Sequence, residues 1–137
     1  MQNTIRILLI LLLSIAATPS WAGDDAPSPA LAVYYAIPEP FTINFLSQSN
    51  QKTRYLQIKV TLMAHDQTTI DNAELNLPML QDALRTLFSE QTYETVNSVE
   101  GRKSLQASSL QTVKTLLKDE TGQDNLDALY FTSFILQ

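Results

Sequence analysis

His65 is the only histidine in the chain, and with Asp66 it makes the one adjacent pair that could move a proton near neutral pH. The pair closes a long apolar–polar alternation, where a solvated loop is its simplest reading. A zinc site needs three or four nitrogen, thiolate or carboxylate ligands. The chain offers one histidine and no cysteine. The missing cysteines also exclude disulfides, a thiol nucleophile and an amino-terminal lipid anchor on cysteine. Asp24 and Asp25 lie in a proline-rich stretch with nothing to hold them rigid for catalysis. Asp119, Glu120, Asp124 and Asp127 make an acidic loop without the regular ligand spacing that calcium requires. Three glycines cannot build a phosphate-cradling loop, and no Gly-x-Ser-x-Gly elbow is present. The expected catalytic, cofactor-binding and metal-ligating sets are therefore empty. A net charge of −5 also argues against nucleic acid, which needs a basic face.

Binding is then the chemistry to look for, and the elements must say where. Residues 1–22 read as a secretory signal peptide: Arg6 gives the positive start, Ile7 to Ala17 the apolar run, and Ser20-Trp21-Ala22 the small residues before a cut at Gly23. The rival reading is a short membrane anchor. As a helix the run would reach only ~17 Å, against a hydrocarbon core of about 30 Å. Residues 23–40 read as a linker, because Pro27, Pro29, Pro38 and Pro40 favour extended chain. Inside it, Leu31 to Ile37 is an apolar patch. Either it packs on the domain as an edge, or it touches a partner or membrane through Val33, Tyr34 and Tyr35. Those three residues are the predicted partner contact.

Residues 41–137 read as one domain. Phe41, Ile43 and Phe45 alternate with polar residues over a short strand, and Ser47 to Thr53 reads as a hairpin loop. Leu56, Ile58, Val60 and Leu62 form one face of a longer strand from Arg54 to His65. Asp71 to about Glu90 is predicted helical, with Asp71-x-x-Glu74 as its cap. Leu77, Leu80, Leu84, Leu87 and Phe88 make its buried stripe, and Pro78 either kinks it or marks where the main helix begins. A second helix is predicted from Val99 to about Lys118, capped by Asn97-x-x-Glu100 and ended by Gly122. Leu110, Val113, Leu116 and Leu117 form its stripe. In the last strand, Leu126 to Leu136, simple alternation puts Leu129, Phe131 and Ile135 on one face and Tyr130, Phe134 and Leu136 on the other. With both faces apolar, the strand is expected to be central or covered on both sides. The order implies an α+β fold: a small antiparallel sheet with two main helices on one face.

Five segments resemble the periplasmic domain of the FliL family, in the family's order. They are Pro40 to Phe45, Arg54 to Val60, Leu77 to Leu84, Leu87 to Tyr93 with Glu100-Gly101-Arg102, and Tyr130 to Gln137. The resemblance implies a stomatin-like fold, no catalytic residues, and an accessory role in flagellar rotation, motility and chemotaxis. It implies flagellar stator and basal-body proteins as partners, and a homo-oligomeric ring. The expected location is the periplasm at the basal body, or the inner membrane if residues 1–22 are retained. Members of the family typically carry a full transmembrane helix, from which this chain departs. The alternative reading is a periplasmic ligand-binding module, which would need a concave apolar pocket. A small hydrolase would need the nucleophile, base and metal ligands that the sequence does not supply.

Overall fold

The computed structural model describes residues 30–45 and 54–137. The signal or anchor segment 1–22, Asp24-Asp25 and the predicted loop at 47–53 lie outside them. The described residues form an α+β fold with four strands and four helices. They run β1 (Val33–Ala36), β2 (Phe41–Asn44), β3 (Tyr55–Ala64), α1 (Gln67–Leu75), α2 (Leu77–Ser89), α3 (Tyr93–Asn97), α4 (Val99–Thr121) and β4 (Ala128–Leu136).

β3 is the centre of the sheet, and every other strand pairs with it antiparallel. β4 runs along Leu56 to Met63, while β1 pairs with Thr61 to Ala64 and β2 with Tyr55 to Ile58. A strand has only two edges, so β1 and β2 must share the edge opposite β4. They follow one another around a corner holding Pro38 and Pro40, where missing N–H groups do no harm at a sheet margin. Ile37 keeps the corner in register by donating its N–H to the Val60 carbonyl at 2.9 Å. The patch expected within the 23–40 linker is thus partly sheet: Val33 to Ala36 is a strand, and the packed-edge reading describes it.

The alternation seen in the sequence is the core. Leu56, Ile58, Val60, Leu62 and Ala64 are buried on one face of β3, beside Phe41 and Ile43 of β2. Each such side chain contributes about 1.5–3 kcal/mol through lost contact with water. α2 lays Leu80, Leu84 and Phe88 on this face, and α4 adds Leu105, Val113 and Leu117. Phe88 meets Phe41 and Phe131 edge-on, with ring centroids 5.1 and 5.8 Å away.

β4 departs from expectation. Val60 stands opposite Phe131 but Lys59 opposite Ser133, so Thr132 is an extra residue, a β-bulge. The bulge resets the alternation. Leu129, Phe131, Phe134 and Leu136 pair with Leu62, Val60, Ile58 and Leu56 on the core side, and Tyr130 and Ile135 turn outward. The two-faced apolar pattern therefore reflects the bulge and not a buried strand. β4 is an edge, with Tyr130 and Ile135 about 40% exposed.

The helix region splits where Pro78 stands. α1 is capped by Asp66, whose carboxylate accepts from the Thr69 N–H at 2.7 Å; Asp71 and Glu74 take no capping role. Asn76 separates the helices, and Pro78 sits in the first turn of α2, where a missing N–H leaves no bond broken. The short helix α3 was not visible as a period, because five residues carry too little pattern. α4 is capped by Ser98, one residue after the expected Asn97, and ends at Gly122, whose φ of 77° suits glycine. Leu110 and Leu116 are half-buried flanks of its stripe.

Candidate functional site

The loop chemistry resolves into local structure. His65 Nδ1 lies 2.8 Å from Asp127 Oδ2, which also accepts the His65 backbone N–H at 2.9 Å. Asp127 in turn donates its backbone N–H to the Met63 carbonyl. The pair ties the end of β3 to the start of β4 at the surface, and Asp66 is occupied with the α1 cap. Among the described residues no serine or threonine hydroxyl bonds to the ring. Asp124 lies 3.6 Å from Lys118 Nζ, and the described residues hold no cluster of three acidic or histidine ligands. The acidic loop therefore works as a strand clasp and a helix-end pair.

The predicted contact Val33, Tyr34 and Tyr35 is divided by the strand it forms. Val33 and Tyr35 stand opposite Ala64 and Leu62, on the core face, and pack half-buried against the hydrophobic cluster. Burial holds the Tyr35 phenol above its ordinary pKa, and the Glu74 carboxylate adds to the rise. Tyr34 points the other way and is 61% exposed.

Tyr34 belongs to the sheet face that the helices leave bare. By cross-strand register, Met63 joins Tyr34 to Ala128, Thr61 joins Ala36 to Tyr130, and Gln57 joins Thr42 to Ile135. Tyr55 continues this face beyond Gln57. Lys59 is the one charged side chain among its strand residues. The sequence could place Tyr55 here from the β3 alternation; Tyr130 and Ile135 were hidden by the bulge.

A second surface lies on the helix side of β4. Between α4 and β4 runs a furrow with two recesses of about 310 and 300 Å3 that share Lys103 and Gln106. One end is floored by Phe131 and Phe134, whose rings lie 5.8 Å apart. Arg102 lies over Phe134 at 5.5 Å and donates Nε–H to the Ser98 carbonyl at 3.3 Å. Gln106 donates its side-chain N–H to the Leu129 carbonyl at 2.8 Å. Another recess, about 460 Å3 between α2 and α4, is bordered by Ala83, Gln111 and Leu116 and has no charged lining. No helix among the described residues is long and apolar enough to cross a membrane.

Residues 34–137 match the family model described as flagellar basal body-associated protein FliL. The match starts inside β1 and covers the whole described domain beyond it. The chain is 28% identical over 109 residues to the flagellar protein FliL of Aquifex aeolicus, covering 80% of this chain and 64% of that one. It is 35% identical over 123 residues to the flagellar protein FliL of Escherichia coli K12, covering 85% and 74%. The Shigella flexneri protein of the same name matches to the same extent. Over a third of the Aquifex protein's length thus lies outside the shared region.

Proposed function

The chain belongs to the FliL family of flagellar basal body-associated proteins, and from that premise we propose that it is a non-enzymatic accessory of the flagellar motor that binds beside the stator and supports rotation, motility and chemotaxis under load. The observation that carries the reading is the family match across residues 34–137, which takes in the entire sheet and all four helices except the first residue of β1. We place the domain in the periplasm, delivered by residues 1–22 as a cleaved signal, or held at the inner membrane if that segment is retained.

A binding protein can shift a stator equilibrium only by its differential affinity for the engaged form. A tenfold shift takes about 1.4 kcal/mol, which a modest interface supplies. Copies arranged in a ring would multiply weak contacts by avidity. Of Val33, Tyr34 and Tyr35, Tyr34 is free to make the first contact, because the other two are engaged with the core.

The test is a deletion strain swimming in viscous medium, with stator units counted per motor and the tagged protein imaged. Loss of motility under load with fewer engaged stators is expected, and Tyr34→Ala should reproduce part of it. Unchanged torque and stator number, with the tag spread evenly through the periplasm, would reject the reading. Intact-mass measurement of protein from its host should show Gly23 as the first residue; a full-length inner-membrane species would establish the anchor instead.

A further inference from the structure

We propose that the furrow between α4 and the free edge of β4 is a docking site for an extended acidic segment of a partner protein, which adds to β4 as a further strand and seats its carboxylates on Arg102 and Lys103. The inference goes beyond the motor reading and does not depend on it.

Three observations converge on this surface. The first is the open edge. Tyr55 and Gln137 exchange both backbone hydrogen bonds, at 2.8 and 2.9 Å. Alternation then turns the backbone groups of Leu136 and Phe134 away from β3, toward a side where no strand of the described residues lies. The Leu129 carbonyl faces the same way, since it accepts from the Gln106 side chain of α4. Gln106 thus covers the edge near the start of β4 and leaves its later half open. An unprotected edge is where an extended peptide gains main-chain hydrogen bonds.

The second is charge. The whole chain carries −5, yet Arg102 and Lys103 stand together on this furrow with no carboxylate partner among the described residues. Arg102 is already positioned. Its Nε is tied to the Ser98 carbonyl and its plane rests near Phe134, which leaves both Nη groups without a partner among the described residues. A guanidinium held this way is suited to a carboxylate, which it can bind through two N–H groups with little further ordering. Complementarity therefore selects an acidic occupant.

The third is the apolar floor. Phe131 and Phe134 give alternate side chains of an added strand somewhere to bury. Phe131 also touches Phe88 in the core, so the floor is rigid. Edge pairing would supply affinity, and the cations with the floor would supply selectivity.

The probe is a fluorescein-labelled eight-residue peptide, with aspartate and valine alternating at odd positions and threonine at even ones. Its lysine-for-aspartate counterpart is the control. Fluorescence anisotropy with the full chain should show the aspartate peptide binding at least about tenfold tighter than the lysine peptide, a difference set by the two cations. Methylating alternate peptide nitrogens, which removes strand hydrogen bonds without touching the protein, should weaken binding by about tenfold or more in one of the two registers. Arg102→Glu with Lys103→Glu should reverse the preference, at an unchanged circular dichroism spectrum. Equal affinity for both peptides, or full affinity after N-methylation in both registers, would overturn the proposal. So would sedimentation with anionic phospholipid vesicles that depends on Arg102 while neither peptide binds, since this assigns the cations to lipid headgroups. Wild-type motility in the double variant would separate this site's role from that of the motor reading.

Discussion

Replacing Gly101 with alanine gives opposite signs depending on which physical term dominates. Gly101 is the third residue of α4, and helix propensity alone predicts that alanine stabilises by about 1 kcal/mol. The surroundings say otherwise. A Cβ at this position would overlap the Thr95 carbonyl oxygen and come within 2.7 Å of Ser98 Oγ. Both atoms belong to the tight connection from α3 to α4. Ser98 Oγ accepts the Gly101 N–H at 2.9 Å and donates to the Thr95 carbonyl at 3.0 Å. Relief requires α3 to move off the start of α4, which strains packing by about 1–3 kcal/mol. It also loosens the Ser98 cap, worth roughly 1 kcal/mol. Setting the propensity gain against these leaves a net loss of about 1–3 kcal/mol. For a domain near 100 residues, each kcal/mol moves the midpoint by roughly 4–8 °C, so thermal unfolding should fall by roughly 5–20 °C. Gly122→Ala is the control with the opposite cause. Nothing lies within 4 Å of its Cβ, yet its φ of 77° is left-handed, so its cost of about 1–2 kcal/mol is backbone strain alone. Combining Gly101→Ala with Ser98→Ala should be less destabilising than the sum, because both disturb one turn. A midpoint that is unchanged or raised in Gly101→Ala would refute the steric argument.

Leu84 is fully buried on α2, and Leu84→Ala should cost about 2–5 kcal/mol in urea unfolding, whereas Gln67→Ala, at an exposed helix start, should cost under about 0.5 kcal/mol. Asp66→Ala should cost about 0.5–2 kcal/mol by removing the α1 cap, and Asp71→Ala much less, which comparison of the two unfolding midpoints checks. Tyr35 has its pKa raised in the folded state by burial and then by Glu74, so its stabilising share is complete below about pH 10 and is lost as pH rises through the folded value. Tyr35→Phe should therefore blunt the fall in stability as pH rises above about 10, as followed by denaturant midpoints, and a parallel fall in both proteins would contradict this assignment.

The strongest signals in the sequence came from residues whose environment repeats at a fixed interval. Leu56 to Leu62 read as a half-buried strand because each second residue meets the helix layer. Leu80, Leu84 and Phe88 read as one helix face for the same reason. Periodicity failed where one residue breaks it. Thr132 shifts β4 by half a pleat, so Phe134 and Ile135 exchanged faces and an edge strand looked doubly buried. Val33 to Ala36 reads as linker because prolines flank it, yet Pro38 and Pro40 occupy the corner after the strand and leave its pairing with β3 intact. Caps were missed by one to five residues, since aspartate, serine and asparagine all occur near each helix start. The outer face and the furrow were least legible. Each joins residues from distant segments: Tyr34 meets Met63 and Ala128 through strand register, and Arg102 meets Phe134 through the packing of α4 on the sheet.

The central position of β3 bears on when this chain can fold. β3 is made before the four described helices, but the strand that completes its second side follows all of them. Gln137, the final residue, closes the sheet by exchanging two hydrogen bonds with Tyr55. A nascent chain lacking its last ten residues holds β3 with one edge bare and loses Leu129, Phe131 and Phe134 from the core side. Native pairing across that span also closes slowly, because loop entropy is lost before the contacts form. The topology therefore leaves the described sheet one strand short until β4 has been made, so completion of the core waits on the strand that follows all four described helices.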